Sequence, residues 1–253
     1  MTPDAEVLFG FNPVLAVLSD PARPVESLWI VTGPHGNRMR EVERLASERG
    51  IRPKFVERVV VDRLAGGATH QGVALRVGAR VQPTWDDLLA RLDGVVDPVL
   101  LLLDGIEDPR NLGAIIRSAE AFGVEAVILP RDRSAPLSGV AVKASAGAAE
   151  RVDVIRVTNL ARAMRELKAY GVRVIGLDGD AGTMLAGESW HGAVALVLGG
   201  EGRGLRRLTR EHCDTVVAIP MVGGVGSLNV ATAAGIALYE VRRRRAGESA
   251  RDG

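Results

Sequence analysis

The run Val99-Leu100-Leu101-Leu102-Leu103 is apolar without interruption. A strand with one wet face alternates apolar and polar side chains, so a run of this kind suits a strand covered on both faces, as at the centre of a parallel sheet. The chain after it repeats that demand. Val99–Leu103, Ala126–Leu129, Val152–Arg156, Val172–Leu177, Ala193–Leu198 and Thr215–Ile219 read as strands. Asn111–Phe122 and Asn159–Tyr170 read as helices, and a closing helix runs from about Leu228 to Arg245. Strands alternating with helices predict an α/β fold with a mostly parallel sheet. Ligands of such sheets bind beyond the C-terminal ends of the strands.

Residues 7–77 have a different texture. Ser27–Val31, Lys54–Arg58 and Val73–Val77 read as strands. Arg38–Arg49 reads as a helix, with Met39, Val42 and Leu45 at spacing three and Gly50 as its stop. Between the two textures lies a short amphipathic stretch, Leu88, Leu89 and Leu92, with Thr84 as its cap and Gly94 and Pro98 closing it. The expected organisation is a small α/β domain over 1–79, a linker over 80–97, a larger α/β domain over 98–246 and a disordered tail over 247–253.

Composition narrows the function classes. With 47% apolar and 25% charged residues, the chain is an ordinary globular one rather than a disordered one. No apolar run approaches the ~20 residues of a membrane helix. Asp4 and Glu6 precede any hydrophobic stretch, which argues against a secretory signal. The one cysteine, Cys213, has no internal disulfide partner, and four scattered histidines argue against structural zinc. A cytoplasmic protein with no metal is the expectation. Net charge is +1, so no general cationic field announces a nucleic-acid partner. The cluster Arg242-Arg243-Arg244-Arg245 reads as a solvated helix end where cations suit the dipole.

Three loops stand out, each between a buried strand and a helix. The first is Leu103-Asp104-Gly105-Ile106-Glu107-Asp108-Pro109-Arg110-Asn111, in which Asn111 suits a helix cap. Leu112, Ile115, Ile116 and Ala119 then form an apolar face from which Arg117 points away. The second is Leu198-Gly199-Gly200-Glu201-Gly202-Arg203-Gly204-Leu205, whose glycines let backbone approach a ligand closely. It superficially resembles a dinucleotide fingerprint. It comes late in the chain, however, and no GxGxxG follows the first strand of an early βαβ unit, which disfavours a nicotinamide dehydrogenase. The third is Ile219-Pro220-Met221-Val222-Gly223-Gly224-Val225-Gly226-Ser227-Leu228-Asn229-Val230, with Ser227 in an N-cap position.

Taken in this order, Asn111 with Arg117, the Gly199–Leu205 loop, and Ile219-Pro220 with Ser227-Leu228-Asn229-Val230 resemble the three motifs of the SpoU/TrmH family of RNA ribose 2′-O-methyltransferases. Asp132-Arg133-Ser134-Ala135, Gly147-Ala148-Ala149-Glu150, Arg156–Arg162 and Leu208–Asp214 resemble the branch that methylates a guanosine ribose in bacterial 23S rRNA. Phe9–Val14 and His70-Gln71-Gly72-Val73 resemble, more loosely, its N-terminal RNA-binding domain. The resemblance implies a SPOUT-type catalytic domain with a C-terminal trefoil knot, preceded by a domain like ribosomal protein L30e. It also implies a homodimer acting on RNA, 23S rRNA first among substrates, with S-adenosyl-L-methionine as cofactor. Methylation of tRNA or of another rRNA ribose, as in thiostrepton-resistance enzymes, is the alternative within the family. A non-catalytic RNA-binding protein is the alternative outside it.

By that resemblance Leu198, Gly199, Gly200, Gly202, Ile219, Met221, Leu228 and Val230 form the cofactor pocket. Backbone groups of Gly199, Ile219 and Leu228 grip the adenine, and the apolar side chains enclose it. Asn111, Arg117, Glu201, Ser227 and Asn229 form the catalytic set. Arginine stays protonated, which favours Arg117 as the group that holds the ribose or a phosphate and stabilises developing alkoxide charge. Asn111 orients the 2′-hydroxyl or Arg117. Glu201 either lines the polar wall with Ser227 and Asn229 or ion-pairs an arginine and fixes its loop. Candidate RNA contacts are Arg110, Arg117, Arg131 and Arg133, with Asn12, His70 and Gln71 in the first domain. The apolar positions Val230, Ala234, Ala237, Leu238 and Val241 of the closing helix are the expected dimer surface.

Overall fold

A computed structural model describes residues 5–78, 80, 82–200, 202 and 204–249. The chain forms two compact units, one of residues 1–81 with 146–151, the other of 82–145 with 152–253.

The first unit runs β1 (Glu6–Phe9), α1 (Phe11–Leu18), β2 (Val25–Val31), α2 (Asn37–Glu48), β3 (Lys54–Val56), α3 (Arg58–Leu64) and β4 (Val73–Val77). Its sheet has the order β1-β4-β2-β3, with β4 antiparallel to both neighbours and β2 parallel to β3. Leu28, Ile30, Val73 and Leu75 from the sheet, Val14 and Val17 from α1, and Met39 and Val42 from α2 are buried. The reading of Met39 and Val42 as core positions at helical spacing therefore holds. Segment 146–151, distant in sequence, completes this unit. Arg23 is 6% exposed, and its Nε donates to Glu150 Oε2 at 3.2 Å while a second nitrogen lies 3.8 Å from Glu6 Oε2. Burial raises the Glu6 carboxyl above its ordinary pKa, nearby Glu150 adds to this, and Arg23 opposes it. Gly147, at φ 91°, sits where a Cβ would come within 2.8 Å of the Asn12 carbonyl oxygen.

The second unit opens with α4 (Trp85–Leu92). Thr84 and Asp87 form a reciprocal capping box at its start. Leu88 and Leu92 of α4 are buried in the same cluster as Leu100, Leu102 and Ile128, so α4 anchors most of the expected linker, from Gln82 on, to this unit. Then follow β5 (Val99–Asp104), α5 (Pro109–Ala121), β6 (Ala126–Pro130), α6 (Gly139–Ala144), β7 (Asp153–Val157), α7 (Leu160–Ala169), β8 (Arg173–Leu177), β9 (Thr183–Met184), β10 (Val194–Gly199), α8 (Arg207–His212), β11 (Thr215–Ala218) and α9 (Val230–Ser249). The sheet order is β7-β6-β5-β10-β8-β11-β9, and every pairing is parallel. All of β5 is buried, as its unbroken apolar run requires. On one face Leu100, Leu102, Ala195 and Val197 pack with α4 and with Ala163, Met164 and Leu167 of α7. Each large side chain so buried contributes roughly 1.5–3 kcal/mol. Helices α5 and α9 pack on each other and reach β6 and β10.

Several local expectations change. Helix α5 starts at Pro109, and its cap is Asp108, whose side chain accepts from Arg110 N at 2.8 Å. Asn111 lies inside the first turn instead. Proline fits the first helical position because its missing N–H has no partner there in any case. Helix α9 continues to Ser249, beyond the expected start of the tail at 247, and 250–253 lie outside the described residues. Of its clustered arginines Arg243 is exposed and pairs with Glu240 of the same helix, but the other three are not a solvated end. Arg242 donates to Phe122 O and Gly123 O, Arg244 to Ala186 O and Glu240, and Arg245 to Trp190 O, Asp97 O and Gly192 O. Val230, Ala234, Ala237, Leu238 and Val241 are buried within the unit and so are no dimer surface. Ile236 and Tyr239 are the large apolar residues that α9 exposes, at 38% and 56%. No helix among the described residues is long and apolar enough to cross a membrane.

Candidate active site at the C-terminal edge of the sheet

Strands β8, β10 and β11 end together, and the loops after them enclose a cavity of about 520 Å³. Leu198, Gly199, Gly200, Gly202, Ile219, Met221, Leu228 and Val230 all line it, with Ser227 and Asn229. The eight expected cofactor residues thus come from two segments some twenty residues apart and meet in one place. The volume suits a drug-sized or cofactor-sized molecule. Leu198, Ile219, Met221, Leu228 and Val230 give the apolar enclosure that an adenine ring needs, and the glycines expose backbone N–H and C=O.

The cramped backbone explains one glycine. A Cβ on Gly199 would lie 2.0 Å from the carbonyl carbon and oxygen of Gly204 and 2.4 Å from Leu205 N. What needs the space is the returning chain of the same loop, which closes on itself through a bridge between Gly200 and Gly204.

Sequence reasoning missed a third wall, Leu177-Asp178-Gly179-Asp180 after β8. The signal was present: an Asp-Gly pair directly after an apolar strand, as at Asp104-Gly105. Asp178 is ion-paired to Arg210 at 2.8 Å and accepts from Asp180 N at 3.1 Å, so it braces the loop. Asp180 is exposed on the cavity wall.

A second cavity, of about 560 Å³, adjoins the first and shares Gly200, Gly204 and Val230 with it. Asp104, Gly105, Glu107, Asp108, Asn111 and Arg206 also line it. Buried Asp104 is fully engaged: Thr209 Oγ1 donates to it at 2.6 Å, Arg206 N at 3.3 Å, and the Arg206 guanidinium lies 3.3 Å away.

Asn229 and Asn111 meet where the cavities join. Asn229, not Ser227, caps α9: its Oδ1 accepts from Ala231 N at 3.0 Å and Thr232 N at 3.2 Å. Its Nδ2 must then be the outward group, and it donates to Asn111 Oδ1 at 3.0 Å. That chain of bonds fixes both amide orientations. Asn111 therefore turns its NH₂ group, a donor, away from Asn229.

Arg117 does not join this group. It is exposed on α5 and lines neither cavity. Six residues beyond Asn111 place it about 9 Å along the helix and about 120° around it. Glu201 lies outside the described residues. Among the described residues no group of three or more His, Cys, Asp and Glu gathers as a metal site.

Of the expected RNA contacts in the first unit, His70 is structural. It is 2% exposed, its Nδ1 accepts from Gly72 N at 3.0 Å, and its Nε2 donates to Asp62 Oδ1 at 2.7 Å. Asn12 and Gln71 are exposed. Gln71 adopts φ 55° and accepts from Phe11 N at 3.0 Å, while Arg38 bonds Asn12 and covers the Phe11 ring.

The pattern of the SpoU rRNA methylase family matches residues 98–239, and that of an RNA 2′-O ribose methyltransferase substrate-binding domain matches residues 7–82. The chain is 45% identical to the 23S rRNA (guanosine-2′-O-)-methyltransferase RlmB of Yersinia pestis over 95% of its own length and 98% of that protein. Against the Escherichia coli K12 protein of the same name the values are 44%, 95% and 99%. The AdoMet-bound rRNA methyltransferase of Sinorhizobium meliloti superposes with a TM-score of 0.77 at 25% identity, covering 95% of this chain and 87% of that one.

Proposed function

The chain belongs to the SpoU rRNA methylase family, and we propose that it methylates the ribose 2′-hydroxyl of a guanosine in 23S rRNA with S-adenosylmethionine as methyl donor. The observation that carries this reading is the pair of adjoining cavities: one lined by all eight residues expected for the cofactor, the other meeting it at the Asn229–Asn111 hydrogen bond. When bound, S-adenosylmethionine supplies a methyl group on a positively charged sulfur, ready for attack by oxygen. Leu198, Ile219, Met221, Leu228 and Val230 hold its adenine and exclude water.

The second cavity takes the ribose. Asn111 presents N–H groups there, so it stabilises an oxygen that is losing its proton rather than accepting that proton. Asn229 holds Asn111 in place, and Ser227 adds a hydroxyl to the wall. Arg117 adds a permanent cation, supplied by the second subunit of a homodimer. The exposure of Arg117 together with Ile236 and Tyr239 on α9 supports that arrangement. Glu201, in the sequence between Gly199 and Leu205, keeps its place in the catalytic set. A C-terminal trefoil knot belongs to the same reading. In this division of labour the first unit selects the RNA, the second transfers the methyl group, and both act in the cytoplasm.

The test is methyl transfer from radiolabelled S-adenosylmethionine to 23S rRNA, followed by mapping of the modified ribose. A single 2′-O-methylguanosine is expected. Label on tRNA alone, or none on any RNA, would refute the assignment.

A further inference from the structure

At the far edge of the same sheet, beyond β6 and β7, lies a third cavity, of about 470 Å³. Arg131 and Arg156 line one side, and Gln82, Thr84 and Trp85 the other. Leu129 pairs with Arg156 in the β6–β7 register. Arg131 directly follows β6, its N–H donating to Val157 O at 2.9 Å, and lines the same cavity as Arg156.

Neither guanidinium group has a counter-ion among the described residues. Arg156 is partly buried and donates only to neutral oxygens, Ser134 Oγ at 3.2 Å and Ala135 O at 2.6 Å. Arg131 is exposed and forms no side-chain hydrogen bond or ion pair among the described residues. Burial depresses the pKa of Arg156, as it does for a cation with no anion to compensate it. A desolvated, unneutralised charge is costly, and the cost is recovered when an anion arrives. Asp86, also on the rim, is exposed to solvent on the Trp85 side.

The remaining wall has complementary chemistry. Trp85 is half-buried, with its indole N–H donating to Glu166 Oε2 at 2.6 Å. That bond and the packing of α4 hold the ring still, as a stacking surface must be. Arg133, two residues after Arg131, is exposed and adopts φ 53°, a conformation non-glycine residues seldom take. An immobilised aromatic beside two cations is the combination that binds an unpaired nucleotide.

We propose that this cavity is a second RNA subsite, which holds an unpaired nucleotide of the substrate strand by its phosphate on Arg131 and Arg156 and by its base against Trp85. The proposal rests on the reading of the chain as an RNA methyltransferase. The position fits that reading: Arg131 follows the C-terminal end of β6 and Arg156 lies one residue before the end of β7, and in this parallel sheet the loops that line the cofactor cavity also follow the C-terminal ends of strands. Three strand spacings, about 14 Å, separate β7 from β10, a span that a short stretch of RNA covers.

The experiment compares full-length wild type with Arg131→Ala, Arg156→Lys, Trp85→Phe and Trp85→Ala. RNA affinity for a 23S rRNA transcript is measured across a salt series by fluorescence anisotropy. The KM for RNA, kcat and S-adenosylmethionine affinity are measured beside it. Losing a charge-assisted contact weakens RNA binding about tenfold. Arg131→Ala is therefore expected to raise Kd and KM about tenfold, leave kcat and cofactor affinity unchanged, and reduce the slope of log K against log salt by about 0.7. Trp85→Phe keeps a ring but loses the bond to Glu166, and is expected to weaken RNA binding less than Trp85→Ala does. Should Trp85→Ala or Arg156→Lys fail to fold, exposed Arg131 still decides. Wild-type Kd and salt slope in Arg131→Ala overturn the subsite. If wild type binds the transcript through Arg131 but transfers no methyl group, the subsite stands and the assigned reaction falls.

Discussion

Asn229 donates its side-chain N–H to the carboxamide oxygen of Asn111 at 3.0 Å, and so couples the start of the last helix to the first turn of α5. The same Asn229 spends its oxygen on capping its own helix. One residue thus sets a helix terminus and the orientation of a group at the junction of two cavities.

That coupling makes the two asparagines act as a unit. Asn111→Ala and Asn229→Ala are each expected to lower kcat by about a hundredfold, with S-adenosylmethionine affinity unchanged in Asn111→Ala. The double variant should be little worse than the worse single one, because both remove the same arrangement. Strictly multiplicative losses in single-turnover assays would show that the residues act separately.

Gly199→Ala is expected to abolish S-adenosylmethionine binding in calorimetry, since even one methyl group collides with the Gly204 carbonyl. Arg117→Ala should bind the cofactor normally and transfer no methyl group. Co-expressing the two variants tests where Arg117 acts. If it serves a partner subunit's cavity, the mixed dimer regains activity that neither variant has alone. Silence of the mixture, with dimers present in sedimentation, would assign Arg117 to its own subunit.

Arg23→Leu is expected to cost about 3 kcal/mol in urea unfolding, because Glu6 and Glu150 lose the cation between them. Arg23→Leu with Glu150→Leu should recover most of that loss. Equal destabilisation of the single and double variants would mean that packing of the arginine stem, not its charge, matters.

Burial raises the pKa of the Cys213 thiol from its ordinary 9.0 to about 11, partly offset by Lys168. The folded chain therefore keeps a proton that the unfolded chain releases between those values. This contribution to stability is present below pH 9 and declines as pH rises towards 11. Alkylation by iodoacetamide at pH 8 should be far slower in folded protein than in urea. Comparable rates in the two states would contradict the burial.

The central sheet was legible because its signal is local: Val99–Leu103 allows only a strand buried on both faces, and β5 is one. The cavity after β8, β10 and β11 was legible through the resemblance of the Gly199–Leu205 and Ile219–Val230 loops to the family's motifs, whose residues it gathers. Other features have no local signature. The capping assignments slipped at Asn111 and Ser227, since Asp108 with Pro109, and Asn229, were equally good caps within two or three residues. Strand β1 and helix α1 are too short for periodicity to register. The carbonyl partners of Arg242, Arg244 and Arg245 lie tens of residues or more away, so a cationic cluster that binds backbone looks in sequence like one that faces water.

The assignment of 146–151 to the first unit bears on how the chain is made. A protein emerges from the ribosome N-terminus first, and domains generally fold in that order. Here Arg23 waits for Glu150, and the Asn12 carbonyl waits for Gly147, while the whole of 82–145 is still being synthesised. The N-terminal unit therefore cannot finish folding co-translationally before β5, α5 and β6 have been extruded. A cut near residue 97 would likewise yield no clean half: one piece would lack the last part of its fold, and the other would carry 146–151 without the residues that cover it.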